Sequence, residues 1–226
     1  MSIATNLNDI KKTIPQQVTL VAVSKTKPVS DIMEAYEAGQ RIFGENKIQE
    51  MTEKYEQMPK DIEWHMIGHV QTNKVKYMAP FVSLIHGVDS LKLLQEIDKQ
   101  AAKNNRIIPC LLQMHIAEEE TKFGLDETEL NEMLKQVQHD KYENIKIVGL
   151  MGMATFTENQ IQIQKEFQHL KALFDSSKRH FDAVPCDNVD LNILSMGMSG
   201  DYELAISCGS TMVRIGSSIF GNRNYQ

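Results

Sequence analysis

Two positively charged residues lie inside apolar stretches near opposite ends of the sequence. Lys25 ends the stretch 18–25 and Arg214 lies within the stretch 212–216, and both stretches have the composition of β-strands. Burying a cation is costly unless another group compensates its charge. Two such cations, in the first and last strands of one chain, indicate a shared ligand that is either an anion or an electrophile.

Lys25 has the features of a lysine that forms a Schiff base. A lysine amine attacks a carbonyl carbon only when it is neutral, and partial burial at the end of a strand favours the neutral form. A lysine at a strand end can also extend its amine into solvent without any binding role. We expect that solvent-directed arrangement for Lys27.

Two loops rich in glycine and serine follow the last two strand-like stretches. They are 194–200, Leu-Ser-Met-Gly-Met-Ser-Gly, and 216–218, Gly-Ser-Ser. Glycine lets backbone N–H groups approach phosphate oxygens, and serine hydroxyls add donors, although the same residues also form ordinary turns. With Lys25 and Arg214, the loops favour a ligand that has both an aldehyde and a phosphate, which we interpret as pyridoxal 5′-phosphate. The alternative is a protein that binds another phosphate compound, such as a sugar phosphate, with Lys25 as an electrostatic clamp.

Arg214 would limit the chemistry of such a ligand. Arginine is always protonated and only donates hydrogen bonds. Placed against a pyridine nitrogen, it leaves that nitrogen unprotonated, and the ring is then a weaker electron sink than a ring protonated by a carboxylic acid. The alternative interpretation is an arginine paired with a carboxylate in a structural network.

Eight strand-like stretches alternate with amphipathic helical segments along the chain. The stretches are 18–25, 41–45, 62–67, 82–88, 107–116, 145–154, 190–196 and 211–220. The alternation predicts an α/β fold, a single-domain (β/α)8 TIM barrel over residues 1–226 with a leading helix near 3–14. A doubly wound open sheet is the alternative. The segment 157–160, Thr-Glu-Asn-Gln, has the form of a capping box and predicts a helix start.

A barrel brings the ends of its strands to one mouth, where barrel active sites form. Several polar residues fall at or near strand ends and would meet there. They are Lys25, Asn46, His65, Asp89, Ser195 and Gly216.

Composition excludes several classes of protein. The formal net charge of −6 argues against sequence-independent binding to nucleic acid or to anionic membranes. No apolar stretch is long enough to span a bilayer, and residues 1–6 show no secretion signal. Cys110, Cys186 and Cys208 are odd in number and far apart, which fits free thiols in a reducing compartment. We therefore expect a cytoplasmic protein without a metal site.

Ordered motifs from the first strand to the last resemble one known family. They are 21–28 (Val-Ala-Val-Ser-Lys-Thr-Lys-Pro), 43–46 (Phe-Gly-Glu-Asn) with Gln49 and Glu50, 64–74, 88–90, 194–199 with Asp201, and 209–216 with 219–221. In this order they resemble the pyridoxal-phosphate homeostasis protein family. The resemblance implies a barrel of the alanine-racemase type.

The resemblance also implies that pyridoxal phosphate is linked to Lys25. The implied cofactor-binding residues are Lys25, Asn46, His65, Ser195, Met196, Arg214, Gly216 and Ser217. Within this set, Arg214 would face the pyridine nitrogen, while Gly216 and Ser217 would contact the phosphate. Asn46 and His65 would line the pocket, and Ser195 and Met196 would lie beside the phosphate and ring.

Members of this family are regarded as cofactor carriers or regulators that affect vitamin B6 and amino-acid balance. The resemblance thus implies a protein without catalytic residues, with pyridoxal-phosphate-dependent apoenzymes as candidate recipients. We expect a monomer, because the sequence shows no added interaction domain, and the net charge predicts no nucleic-acid or membrane partner. The alternative is a pyridoxal-phosphate-dependent amino-acid racemase. Two-base racemisation needs an acid/base on each face of the α-carbon. Lys25 would serve one face, but the second, β-rich domain that supplies a tyrosine in racemases is not expected in 226 residues.

Overall fold

Eight parallel strands close into a barrel in the computed structural model, which describes residues 2–118, 123–140 and 142–221. Each strand pairs with the next along the chain, and β1 also pairs with β8. The strands are β1 Thr19–Val23, β2 Ile42–Glu45, β3 Glu63–Met66, β4 Leu84–Val88, β5 Ile108–Met114, β6 Ile145–Gly152, β7 Val189–Ser195 and β8 Met212–Ile215. The closed sheet confirms the predicted (β/α)8 barrel, and the alternative of an open doubly wound sheet is wrong.

Helices connect the strands and cover the outside of the barrel. They are α1 Ile3–Thr13, α2 Val29–Glu37, α3 Ile48–Gln57, α4 Val75–Met78, α5 Leu91–Lys103, α6 Glu127–His139, α7 Gln160–Ala183, α8 Tyr202–Ser207 and α9 Ser217–Phe220, with a 3-10 turn at Thr72–Lys74. The leading helix α1 was predicted, and the Ser2 hydroxyl caps it by accepting from the Thr5 N–H. Within the described ranges, no helix is long and apolar enough to cross a membrane.

The apolar core is divided between the two faces of the barrel sheet. The larger cluster packs between the strands and the helices, and it includes Leu20, Ala22, Trp64 and Met66. A smaller cluster contains residues that alternate with these along the strands; its buried members are Val21, Leu84, Leu111, Val148, Met151 and Met212. Because side chains alternate between faces along a strand, the smaller cluster fills the barrel interior.

The same alternation places polar side chains inside the barrel, four of them on β3, β4, β7 and β8. His65 lies between Trp64 and Met66 on β3, and Arg214 lies between two outward-facing residues of β8. His86 on β4 and Ser195 on β7 occupy equivalent inward positions. All four are buried, so each needs a polar partner within the barrel.

Two local expectations were wrong. Strand β8 ends at Ile215 rather than continuing to 220, because the N–H groups of Ile219 and Phe220 bond to the Gly216 carbonyl and form the turn of α9. The capping box expected at 157–160 is absent. Instead, the Asn159 side chain caps α7, and the reciprocal box occurs at Asp126, before α6.

Candidate functional site at the barrel mouth

A pocket of about 850 Å³ opens at the carboxyl ends of the strands. Five of the predicted site residues are among the residues that line it: Lys25, Asn46, Arg214, Gly216 and Ser217. They come from the segments that follow β1 and β2 and from β8 and the segment after it. Barrel closure therefore brings together side chains from both ends of the chain, as the convergence argument predicted.

The other three predicted site residues lie beneath this pocket rather than on its wall. His65 is within β3, Ser195 is the last residue of β7, and Met196 follows it; all three are buried. Met196 belongs to the apolar cluster between the strands and helices. His65 and Ser195 take part in a polar chain inside the barrel.

Lys25 lies two residues beyond the end of β1. The Ser24 N–H donates to the Gly44 carbonyl at 3.0 Å, which extends the pairing with β2 by one residue. The chain then turns, and the Lys27 N–H donates to the Ser24 carbonyl at 3.1 Å. Lys25 is half-buried and lines the pocket.

Lys27 differs from the expectation of an amine directed into solvent. Its Nζ donates to the Phe220 carbonyl at 2.8 Å, and its side chain lines the pocket. Phe220 is the last residue of α9. The last carbonyl groups of a helix have no N–H partner within it, so they can accept a hydrogen bond from a lysine. The contact joins the segment after β1 to the segment after β8.

A buried ion network surrounds Ser24, the residue before Lys25. Lys54 on α3 is only 5% exposed. Its Nζ donates to Glu45 Oε1 at 2.8 Å, to Glu50 Oε1 at 2.7 Å and to the Ser24 carbonyl at 2.8 Å. These three bonds use all three protons of the ammonium group. The Ser24 hydroxyl also donates to Glu45 Oε1, at 2.6 Å.

The Glu45 carboxylate depends on this lysine. Burial raises the pKa of Glu45 above its usual value, and the charge and hydrogen bond of Lys54 oppose that shift. The second oxygen, Oε2, is buried and has no hydrogen-bond partner in the described part of the chain. Sequence reasoning missed this network. The signal was Glu50 and Lys54 spaced four apart on one helix, beside an acidic residue inside a buried strand.

A second polar chain crosses the barrel interior below the pocket. Arg214 Nη1 donates to the Ser195 carbonyl at 2.9 Å and to Ser195 Oγ at 2.6 Å, and Nη2 donates to the Gly152 carbonyl at 3.0 Å. Ser195 Oγ lies 3.1 Å from His86 Nδ1, and His86 Nε2 lies 3.1 Å from His65 Nδ1. None of the three acceptors of Arg214 is a carboxylate. The alternative interpretation, in which Arg214 pairs with a carboxylate in a structural network, requires one.

Burial determines the charges in this chain. It lowers the pKa of Arg214 to about 10, against the opposing charge of Asp201, so the guanidinium stays cationic at neutral pH. Burial lowers the pKa of His65 to about 3. Burial, and then the charges of His65 and Arg214, lower the pKa of His86. Each neutral imidazole has one donor and one acceptor nitrogen, so His86 donates through one ring nitrogen and accepts through the other.

The loops after β7 and β8 are fastened to each other. The Arg214 N–H donates to the Gly197 carbonyl at 2.9 Å, and the Gly216 N–H donates to Ser199 Oγ at 3.3 Å. Gly197 has φ +99°, a conformation that favours glycine, and an added Cβ would lie 2.6 Å from the Ala205 Cβ. The two loops form one polar wall of the pocket.

The rim of the mouth carries a cluster of aromatic and charged side chains that sequence reasoning missed. His69 Nδ1 lies 3.0 Å from Asp89 Oδ2, and the His69 ring stacks on Phe123 with centroids 4.1 Å apart. Phe156 on the same rim is 95% exposed. In the ranges that the structure describes, no group of three or more His, Cys, Asp or Glu residues is arranged to hold a metal ion.

A lysine after the first strand and a glycine- and serine-rich wall after the last two strands meet at the mouth of a (β/α)8 barrel, where barrel active sites form. The chain belongs to the family described as alanine racemase, N-terminal domain, whose model matches residues 1–224, and within it to the pyridoxal phosphate homeostasis proteins. This confirms the resemblance seen in the ordered motifs.

Individual relatives support the assignment. The chain is 42% identical over 207 residues to the pyridoxal phosphate homeostasis protein of Aquifex aeolicus, covering 91% of this chain and 87% of that one. It is 33% identical to PipY of Synechococcus elongatus PCC7942, solved with PLP bound, with a TM-score of 0.88 over 97% of this chain and 100% of PipY. An alanine racemase of Clostridium difficile 630, only 15% identical, has the same fold with a TM-score of 0.71, and this chain covers 57% of it.

The ion network predicts a large, pH-dependent effect of Lys54→Met. The substitution leaves the Glu45 carboxylate buried without its cation, which we expect to lower the free energy of unfolding by about 3–5 kcal/mol near neutral pH. The folded-state pKa of Glu45, already raised, would rise further above its unfolded value. The loss of stability therefore increases as pH rises from the unfolded-state pKa of Glu45 to its folded-state pKa, and it is smaller in acid. Urea denaturation at about pH 5 and about pH 8 measures the difference.

Lys146→Met is the matched control for that substitution. Lys146 pairs with Asp190 at 3.0 Å on the surface, where an ion pair contributes about 0–1 kcal/mol. The double variant Glu45→Gln/Lys54→Met is expected to recover part of the stability, because it removes the uncompensated charge. A loss for Lys54→Met no larger than that for Lys146→Met would contradict the network's role.

The buried histidines predict a loss of stability in acid. Because the pKa of His65 in the folded protein is about 3, below its usual 6.5, unfolding takes up a proton as pH falls between these values. Stability is complete above the usual pKa and declines toward the folded one. His65→Gln removes this proton uptake, so we expect its free energy of unfolding to fall less steeply with decreasing pH. The exposed His180→Gln on α7 is the control, and equal slopes for His65→Gln and wild type would exclude the effect.

Proposed function

We propose that this protein binds pyridoxal 5′-phosphate at the barrel mouth and acts in the intracellular homeostasis of that cofactor, by buffering, carriage or delivery. The observation that carries the proposal is one pocket lined by Lys25, Arg214 and the segment that includes Gly216 and Ser217. The pocket thus offers an amine for an aldehyde, a guanidinium for a ring nitrogen, and hydroxyl and amide donors for a phosphate. Membership of the pyridoxal phosphate homeostasis family supports it.

The hydrogen bonds of Arg214 fit a bound ligand. A guanidinium has five N–H donors, and the bonds to Ser195 and Gly152 use three of them. The side chain is 4% exposed yet lines the pocket. The two N–H donors that these bonds leave over belong to a side chain on the pocket wall, so they are available to an acceptor bound in the pocket. A pyridine nitrogen is such an acceptor.

The same arginine favours binding over catalysis. Bound pyridoxal phosphate supplies an electrophilic aldehyde and a conjugated ring able to stabilise a carbanion. Arg214 remains protonated at neutral pH, with a pKa of about 10, so it would donate a hydrogen bond to the ring nitrogen rather than protonate it. The Ser195 and Gly152 oxygens fix the guanidinium in place for that contact. The arrangement holds the ligand while weakening its capacity to withdraw electrons.

The surroundings of the pocket also support a carrier rather than a racemase. Among the described residues, no tyrosine lines the pocket, so the second acid/base of a racemase is not provided in the usual form. The exposed Phe156 lies at a mouth that is open to solvent, and an open site does not exclude water from reactive intermediates. An open mouth suits transfer of the cofactor to apoenzymes that depend on it, and we propose these apoenzymes as its recipients. We also propose that the protein is a monomer.

A covalent adduct at Lys25 is the expected result of adding pyridoxal phosphate. After borohydride reduction, peptide mass spectrometry should locate the added mass on Lys25, because this amine lies on the wall of the pocket. Lys25→Ala should lose the adduct. Lys27→Ala, a change two residues away at an amine bonded to the Phe220 carbonyl, should keep it. An adduct unchanged in Lys25→Ala, or its absence from wild type, would refute the assignment.

Amino-acid turnover separates the carrier from the racemase. The protein loaded with pyridoxal phosphate should leave the enantiomeric composition of alanine unchanged over many equivalents. No tyrosine among the described residues lines the pocket as a second acid/base, and Arg214 would leave the ring nitrogen unprotonated. Chiral chromatography measures the composition. Steady conversion that disappears in Lys25→Ala would establish a racemase instead.

A further inference from the structure

The turn that carries Lys25 contains an unusual backbone conformation. Thr26 has φ +62°, in the left-handed region. Glycine, asparagine and aspartate enter this region most readily, whereas a β-branched residue such as threonine does so at a cost. Thr26 and Asn105 are the two non-glycine residues with positive φ in the described part of the chain. Such a conformation persists only when neighbouring groups hold it.

The group that holds it is a carboxylate from a different element. Glu50 on α3 accepts from the Thr26 N–H through Oε1, at 2.6 Å. The same oxygen accepts from Lys54 Nζ at 2.7 Å. Lys54 also donates to the Ser24 carbonyl. The backbone is therefore fixed on both sides of Lys25, at the carbonyl before it and at the amide after it.

Glu50 is not part of the pocket wall, so it has no direct contact with a ligand there. Its side chain is 22% exposed and its two contacts through Oε1 are the Thr26 amide and the Lys54 ammonium. Glu50 acts on the backbone of residues 24–27, directly at the Thr26 N–H and by way of Lys54 at the Ser24 carbonyl. Rotation of Thr26 to an ordinary negative φ would redirect the adjoining peptide and with it the Lys25 side chain.

We propose that Glu50 is a positioning residue for the Lys25 amine: by accepting the Thr26 N–H it keeps the turn in its left-handed conformation and directs the amine into the barrel mouth. The inference rests on the proposed function, because it concerns the reaction of Lys25 with the aldehyde of pyridoxal phosphate. In that reaction the amine nitrogen bonds to the aldehyde carbon and the aldehyde oxygen leaves as water. Glu50 contributes orientation and exchanges no proton.

The threonine provides a rescue test. Glycine adopts positive φ without steric cost, so Thr26→Gly should keep the turn without the help of Glu50. The variants are Glu50→Ala, Glu50→Gln, Thr26→Gly and the double variant Glu50→Ala/Thr26→Gly. Glu53→Ala, an exposed position on the same helix, is the matched control. The measured quantity is the rate of adduct formation at Lys25 with saturating pyridoxal phosphate, trapped with borohydride and quantified by mass spectrometry.

We expect Glu50→Ala to slow adduct formation by about tenfold or more, since small misplacements of a reacting group have effects of this size. The double variant, Thr26→Gly alone and Glu53→Ala should each react within about threefold of wild type. Glu50→Gln should resemble wild type, because its carboxamide oxygen still accepts the Thr26 N–H. If Glu50→Ala does not fold, as judged by circular dichroism, Glu50→Met replaces it throughout.

Three outcomes would overturn the inference while leaving the proposed function intact. They are a Glu50→Ala rate equal to that of wild type, a slow rate that Thr26→Gly does not restore, and a Glu50→Gln variant as slow as Glu50→Ala. The second would assign the loss to general destabilisation, and the third to the charge rather than the hydrogen bond. Absence of the adduct from wild type would instead overturn the proposed function, and the inference with it.

Discussion

The pairing of β1 with β8 is the constraint on which the site depends. It closes the barrel and sets Val21 opposite Arg214 in register, so that residues from the two ends of the chain share one wall. Lys25, after β1, and Gly216, after β8, therefore line the same pocket. The Lys27 amine reinforces the closure by bonding to the Phe220 carbonyl. Without that pairing, an amine, a guanidinium and the glycine- and serine-rich wall would have no common location.

Buried cations organise the interior, and the two that matter most are treated differently. Lys54 has all of its protons engaged by two carboxylates and a carbonyl, so it is a structural group with no capacity left for a ligand. Arg214 is held by neutral oxygens from Ser195 and Gly152 and retains donors toward the pocket. The first arrangement fixes the backbone beside Lys25. The second fixes a cation on the wall of the pocket, where the proposed ligand would bind.

The sequence predicted the barrel and much of the mouth, because strand ends converge in any parallel barrel and the apolar stretches located the strands to within a few residues. It did not reveal contacts that depend on register between separate strands and helices. The partnership of His65 with His86, and that of Lys54 with Glu45, require knowing which residues of neighbouring elements face each other. The positive φ of Thr26 was likewise hidden, since threonine gives no signal for it. Local polar competition, seen where Asn159 rather than Thr157 caps α7, explains the misplaced helix start.

The central claim is that one pocket binds pyridoxal phosphate through Lys25, Arg214 and the loop at Gly216. A crystal structure of the protein grown with pyridoxal phosphate tests it most directly. The claim predicts continuous density between Lys25 Nζ and the ligand, the Arg214 guanidinium at the ring nitrogen, and the phosphate against Gly216 and Ser217. A ligand bound at another surface, or one in this pocket with its ring nitrogen away from Arg214 and no bond to Lys25, would contradict it.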